Sequence, residues 1–101
     1  MLFKSKIGKL IELTAERKSH IFEFHPDIKP HFSKIQQVLQ DPDEIRKSQH
    51  DPEALLFYKH FVEIKKGKYL TVVVKVNERS FVLTCYLTNK ILTDKKLYEK
   101  K

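Results

Sequence analysis

The chain of 101 residues has the length of one domain, and its 41% hydrophobic and 33% charged residues are typical of a globular protein. A single cysteine excludes an intrachain disulfide, two glycines exclude a glycine-rich phosphate loop, and no segment reaches the roughly 18 uninterrupted apolar residues of a membrane span. We therefore expect one cytoplasmic domain over residues 1–101, with no small-molecule cofactor and no membrane contact.

The net charge of +7 is concentrated in the second half of the chain. Residues 1–58 carry nine basic and nine acidic side chains, whereas residues 59–101 carry eleven basic and four acidic ones. A neutral half joined to a basic half favours a face that attracts polyanions. The alternative is a solvated, lysine-rich surface.

The first half of the chain predicts two helices. Residues 3–13 fit either an edge strand or an irregular lead-in, and Thr14 then has the hydroxyl of an N-cap. Pro26 ends this first helix, because proline disfavours helical geometry at the preceding residue. A second helix follows, with Pro30 in its first turn. In the first helix Leu13, Arg17, Ile21 and Phe24 recur at helical spacing, and in the second Ile28, Phe32, Ile35 and Leu39 form one apolar stripe.

The second half changes to a period of two, which predicts strands. Short, turn-like connections at residues 65–68 and 77–79 make neighbouring strands antiparallel. The predicted fold class is thus α+β, with two N-terminal helices packed on one face of a four-stranded antiparallel sheet. The four predicted strands cover residues 44–49, 55–64, 69–76 and 81–88.

Alternation along the last two strands predicts which side chains face the helices. One face carries Leu70, Val72, Val74 and Val76 beside Phe81, Leu83, Cys85 and Leu87. No helix remains in the sequence to cover the opposite face, so that face is the candidate site. It carries Tyr69, Thr71, Val73 and Lys75 beside Val82, Thr84, Tyr86 and Thr88.

Several kinds of catalytic site have no support in the sequence. The five histidines show no HExxH pattern and there are no paired cysteines, so we predict no metal site. A Gly-x-Ser-x-Gly nucleophile elbow is also absent. Cys85 alternates with core residues and is predicted to be a small buried hydrophobe.

The remaining polar residues suit RNA. Lys75 lies among apolar neighbours, where a lone ammonium requires an anionic partner, and Thr84 and Tyr86 point to the same face. Cations hold phosphates and aromatic rings stack on unpaired bases. The predicted RNA-binding residues are Arg46 and Ser48 on the short strand and Tyr58, Lys59 and His60 on the long one. The alternative is a solvated sheet face that uses Thr and Tyr for their β-propensity.

His25 has two interpretations. An imidazole is the usual general base or acid of metal-free RNA cleavage. A histidine at this position also ends the first helix, where a cation is favourable.

An ordered set of short motifs resembles a known nuclease group. The set is His25-Pro26, Val38-Leu39, Asp41-Pro42-Asp43, Arg46-Lys47-Ser48, Asp51-Pro52, Phe57-Tyr58-Lys59, Lys68-Tyr69-Leu70, Val72-Val73-Val74-Lys75 and Phe81-Val82-Leu83-Thr84-Cys85-Tyr86. It is similar to the small phage- and cyanobacteria-associated proteins of the barnase/EndoU/colicin/RelE-like nuclease superfamily. The resemblance implies helices on a four-stranded antiparallel sheet and metal-independent endoribonuclease activity, often in toxin systems. By position it implies a site of Arg46, Ser48, Lys59, Lys75, Thr84 and Tyr86, with His25 from the helical side.

We therefore expect an endoribonuclease that uses the substrate's own 2′-OH and forms a 2′,3′-cyclic phosphate. Lys75, Arg46 and Lys59 would stabilise the phosphate, His25 or Tyr86 would transfer the proton, and Thr84 and Ser48 would position the substrate. The expected partner is RNA, and an acidic antitoxin or inhibitor protein is a second candidate. The alternatives are a non-catalytic RNA-binding module and a domain that docks an acidic protein.

Overall fold

The computed structural model describes residues 1–92 and 95–100 and has an α+β fold. Two helices, α1 (Ala15–Phe24) and α2 (Ile35–Gln40), flank a 3₁₀ segment at Pro26–Lys34. No helix within the described ranges is long and apolar enough to cross a membrane.

The ends of α1 follow from its sequence. The hydroxyl of Thr14 accepts a hydrogen bond from the backbone N–H of Arg17 at 3.1 Å, which confirms the predicted N-cap. The helix ends before Pro26, as predicted. The predicted second helix is α-helical only from Ile35, because Pro26 and Pro30 supply no N–H to an α-helical ladder and the chain between them adopts the tighter 3₁₀ form.

The prediction of a four-stranded antiparallel sheet is wrong. The sheet has seven strands and is mixed and strongly curled, so that it forms a half-barrel. The strand order is β1-β2-β6-β5-β4-β3-β7, and β2 runs parallel to β6 through the pair of Glu12 and Phe81. The strands are β1 (Leu2–Lys4), β2 (Leu10–Glu12), β3 (Glu44–Lys47), β4 (Ala54–Phe61), β5 (Lys68–Lys75), β6 (Phe81–Thr88) and β7 (Lys95–Glu99).

The four predicted strands are the middle of this sheet, and both ends of the chain extend it. The first segment, which fitted either a strand or a lead-in, forms the antiparallel hairpin of β1 and β2 beside β6. At the other edge β7 pairs antiparallel with β3. Neither extension has the long alternating pattern that marks β5 and β6, because short edge strands need few buried residues.

The helices cover one face of the sheet. Ile28, Ile35 and Leu39 are fully buried against Val72 and Val74 in a single hydrophobic core. Each such side chain stabilises the fold by about 1.5–3 kcal/mol through the apolar surface it removes from water. The predicted stripe of the second helix is thus the part that joins it to the sheet.

A β-bulge in β6 changes the predicted faces of that strand. Val73 pairs with Thr84 but Val74 pairs with Val82, so Leu83 is an extra residue. Val82 is therefore fully buried in the core together with Cys85, whereas Phe81 lies opposite Lys75 on the other face. The prediction that Phe81 faces the helices is wrong for this reason, whereas Leu83 lines a cavity beside α1.

Candidate functional site in the groove between α1 and β6

The sheet face that the helices leave uncovered, called here the open face, is curled enough to bury its own centre. Tyr58 of β4 and Thr71 of β5 lie opposite each other, and both are fully buried. The buried residues of the helices belong to the core on the other face of the sheet. The hydroxyl of Thr71 has no hydrogen-bond partner among the described residues. The centre of the open face is therefore closed to solvent and contains a buried hydroxyl.

His25 meets this face at the free edge of β6. Its backbone N–H donates to the carbonyl of Ile21 at 2.7 Å, which fixes it as the C-cap of α1. Its ring centroid lies 6.0 Å from that of Tyr86, with the planes inclined by 38°. Tyr86 is opposite Thr71, so the imidazole lies at the edge of the open face.

A cavity of about 240 Å³ opens between α1 and β6 beside this contact. Thr84 lines it from the strand and His25 from the helix end, so the structure brings together three of the four predicted catalytic residues: His25, Thr84 and Tyr86. The full lining is Arg17, His20, Ile21, Phe24, His25, Leu83 and Thr84.

Two further polar residues of this cavity, Arg17 and His20, were not among the predicted site residues. Arg17 is exposed, and within residues 1–92 and 95–100 its guanidinium forms no ion pair. The sequence does contain a signal for it, because a cation within the apolar stripe of an amphipathic helix is unusual. His20 is one turn before Phe24, and its ring stacks on that phenyl ring.

Arg17 also borders a second cavity, of about 810 Å³, so the two cavities adjoin along β6 and form what we call the α1–β6 groove. The far end of the groove is acidic as well as basic: Arg79 pairs there with Glu12 at 3.4 Å. This second cavity is lined by Glu12, Thr14, Arg17, Glu53, Asn77, Glu78, Arg79, Phe81 and Val82.

Lys75, the fourth predicted catalytic residue, does not line the 240 Å³ cavity. It is opposite Ala54 and Phe81, at the end of β5. Its ammonium donates to Asp51 at 2.7 Å and lies 3.5 Å from Glu53. The hydrogen bond from Lys75 holds the pKa of Asp51 below its ordinary value, and the same bond raises the pKa of Lys75. The anionic partner that the sequence required for Lys75 is supplied by the chain itself.

The predicted RNA-binding cations are also neutralised. Arg46 pairs with Glu44 at 2.6 Å on the open face, and both side chains are mostly buried. Lys59 points to the helix-covered side, where its ammonium donates to the backbone carbonyl of Asp41 at 2.9 Å and lies 3.7 Å from a carboxylate oxygen of Asp43. These contacts tie the sheet to the end of α2.

The remaining predicted RNA-binding residues are dispersed. Because side chains alternate along β4, Tyr58 and His60 lie on the open face while Lys59 lies on the other. Ser48 follows the end of β3, and its hydroxyl accepts from the backbone N–H groups of His50 and Asp51. It therefore shapes the loop that carries the partner of Lys75.

A basic turn joins β4 to β5 at the end of the sheet opposite Lys75. Lys65, Lys66 and Gly67 all have positive φ angles, of 38°, 66° and 93°, which is costly for the two lysines. Lys68 follows and donates to the side chain of Asn89, beyond the end of β6. This basic turn, residues 65–68, is therefore close to the C-terminal end of β6. The acidic residues of the groove lie at the opposite end of that strand.

Among the described residues, no three His, Cys, Asp or Glu side chains come together in a way that could hold a metal ion. Comparison of the chain with protein-family models, curated proteins and solved structures gives no match. The resemblance to the nuclease superfamily therefore rests on its sequence motifs alone.

Proposed function

We propose that this protein is an endoribonuclease that cleaves RNA through the substrate's 2′-OH, with the α1–β6 groove as its active site. The observation that carries the proposal is the position of His25, beside Tyr86 and in one cavity with Arg17 and Thr84. An imidazole, a guanidinium and hydroxyl groups provide proton transfer and charge stabilisation, which are the two needs of this reaction.

In the proposed reaction each imidazole transfers one proton. His25 removes the proton of the 2′-OH, the oxygen forms a bond to the adjacent phosphorus, and the bond from phosphorus to the 5′-oxygen breaks. His20, the second imidazole of the cavity, returns a proton to the leaving oxygen. The products are a 2′,3′-cyclic phosphate and a free 5′-hydroxyl.

Arg17 is assigned to the phosphate oxygens, because Lys75, Arg46 and Lys59 already pair with carboxylates. A guanidinium suits this task, since its planar donors match two phosphate oxygens at once. Tyr86 and Thr84 are assigned to orientation of the phosphate and ribose from the strand side of the groove.

The test is cleavage of total RNA, with and without EDTA, followed by analysis of the product ends. The proposal predicts cleavage that survives chelation and yields cyclic phosphate. A matched oligonucleotide with a single 2′-deoxy position should resist cleavage at that position only. Cleavage at the deoxy position, or 5′-phosphate products, would refute the 2′-OH mechanism.

A second candidate is a non-catalytic RNA-binding module, because the exposed cation Arg17 and the exposed ring of Phe24 in the same cavity would suit RNA binding without cleavage. Saturable RNA binding with intact RNA after prolonged incubation would favour this candidate over the nuclease.

A further inference from the structure

Phe24 is an exposed aromatic side chain at the mouth of the proposed active site. It is 68% exposed, and it is the only aromatic among the strongly exposed large hydrophobic side chains of the described residues. Its helical stripe predicted a core position, yet Ile21, one turn earlier, is buried and Phe24 is not. The fold gains little from a phenyl ring in this position.

The ring is held in a defined orientation. Phe24 stacks on His20, with ring centroids 5.7 Å apart and planes inclined by only 20°. The two near-parallel rings both line the 240 Å³ cavity, and they are four residues apart on one helix face. An exposed, oriented π-surface of this kind is suited to stacking with a flat ligand.

Arg17 and His25 make the cavity suited to a ligand that also carries an anionic group. Arg17 lies seven residues before Phe24 on the same helix face, an axial rise of about 10 Å, and both line the cavity with His25. The site therefore offers a cation and an aromatic surface at a separation suited to a phosphate and a nearby base. A duplex hides the faces of its bases, so it cannot use such a surface.

The charge along β6 gives the direction in which the strand leaves. Glu12, Glu53 and Glu78 line the groove at the start of β6, where Arg79 pairs with Glu12 and Lys75 with Glu53, so this end offers a phosphate backbone few free cations. The other end of β6 leads past Thr88, which is opposite Tyr69, to the contact between Asn89 and Lys68 of the basic turn. That direction, towards the basic turn, is the more favourable one for a polyanion.

We propose that the groove binds single-stranded RNA, with one unpaired base stacked on the Phe24–His20 pair and the strand continuing along β6 towards the basic turn. The inference rests on the proposed function for the location of the scissile phosphate. It goes beyond that function because it specifies unpaired RNA and names the residue that receives the base.

The chain contains no tryptophan, so Phe24→Trp places a single tryptophan in the position proposed to stack on the base. The probe is a single-stranded RNA of about ten nucleotides with methylated 2′-hydroxyls, which cannot be cleaved by the proposed mechanism. We expect saturable quenching of the F24W fluorescence by this RNA and little quenching by the same sequence in a duplex. The matched control is Leu97→Trp, an exposed position on β7 at the opposite edge of the sheet, which should not respond.

Phe24→Ala should weaken binding of the same RNA roughly tenfold, as expected for loss of one stacked base. Fluorescence anisotropy of labelled RNA provides this affinity independently of the tryptophan. Binding without quenching in F24W, equal affinity in Phe24→Ala, or no measurable binding would each overturn the inference. If the RNA quenches F24W but the wild-type protein does not cleave unmodified RNA, base stacking on Phe24 is supported and the nuclease proposal is refuted. If the wild-type protein cleaves RNA but Phe24→Ala binds it with unchanged affinity, the nuclease proposal is supported and base stacking on Phe24 is refuted.

Discussion

The imidazole of His25 and the phenol of Tyr86 lie side by side, 6.0 Å apart, although one closes a helix near the N-terminus and the other belongs to the sixth strand. The contact exists because α1 runs along the edge of β6 that β2 covers only at Phe81. It places a titratable ring from the helical layer at the rim of the open face, which is the geometry that the predictions below test.

His25→Ala and His20→Ala should each lower the rate of RNA cleavage roughly a hundredfold, the usual effect of removing one positioned proton-transfer group. The measurement is the single-turnover rate on a single-stranded substrate, with thermal melts to show that the fold is kept. His50→Ala is the matched control, because His50 is exposed in the loop after β3 and away from the groove. A normal rate in His25→Ala would remove the imidazole from the mechanism.

Arg17→Ala should reduce cleavage far more than Lys75→Met, by about a hundredfold against a few-fold change. The reason is that Arg17 is unpaired within the described ranges, whereas Lys75 is held by Asp51 and Glu53. Comparison of kcat/KM for the two variants distinguishes them. The opposite order would show that Lys75 leaves its carboxylates to bind substrate, as the family resemblance implies.

Asp51→Asn should lower the melting temperature at neutral pH, and its effect should shrink in acid. Folding lowers the pKa of Asp51, so the ionised carboxylate stabilises the folded state above the ordinary pKa of about 4 and loses this effect as the pH falls through the lowered value. Thermal melts of wild type and variant at pH 7 and pH 3 measure the two differences. A difference that grows towards pH 3 would contradict the ion pair.

Alanine at Lys65, Lys66 and Lys68 together should reduce the slope of log affinity against log salt by about 2, since each phosphate contact on a single strand contributes about 0.7. Binding of the methylated single-stranded RNA at several salt concentrations gives the slope. Lys4, Lys9 and Lys29 are a matched triple control from the first half of the chain. An equal loss in the control would mean that net charge alone determines the affinity.

Gly67→Ala should destabilise the domain for two separable reasons. Gly67 has a φ of 93°, and a Cβ there would lie 3.0 Å from the imidazole of His60. In a His60→Ala background the contact disappears and only the backbone cost remains, so the destabilisation should become smaller. Denaturant unfolding of the four proteins measures both parts, and equal costs in the two backgrounds would exclude the contact.

The class of the fold and the positions of its main elements could be predicted from local signals. Thr14 and Pro26 bound α1, and Phe81 and Thr88 bound β6, as their sequence patterns indicate. The number of strands could not be predicted in the same way. The three-residue strands β1 and β2 form a short hairpin and bury one side chain each, so they leave little periodicity to detect.

The faces of β6 and the state of the cations depend on tertiary structure. Alternation assigned Phe81 to the core, but the extra residue Leu83 reverses the face at that end of the strand. The sequence likewise contains both Lys75 and Asp51, but only the loop shaped by Ser48 brings them to 2.7 Å. The buried thiol of Cys85, whose pKa burial raises to about 12, agrees with its predicted core position.

The single parallel pair between β2 and β6 has a consequence for the order of folding. Glu12 and Arg79, which meet at this junction, are 67 positions apart, whereas β3 to β6 are joined by short local connections. Pairing across so long a loop has a large entropic cost, so the central meander should form before the N-terminal hairpin docks. Helix α1 begins at Ala15, directly after this hairpin, and forms one side of the α1–β6 groove. The groove should therefore form late in folding, from segments that are far apart in the chain. The amide hydrogens of the hairpin and of α1 should accordingly exchange with solvent faster than those of β4 and β5.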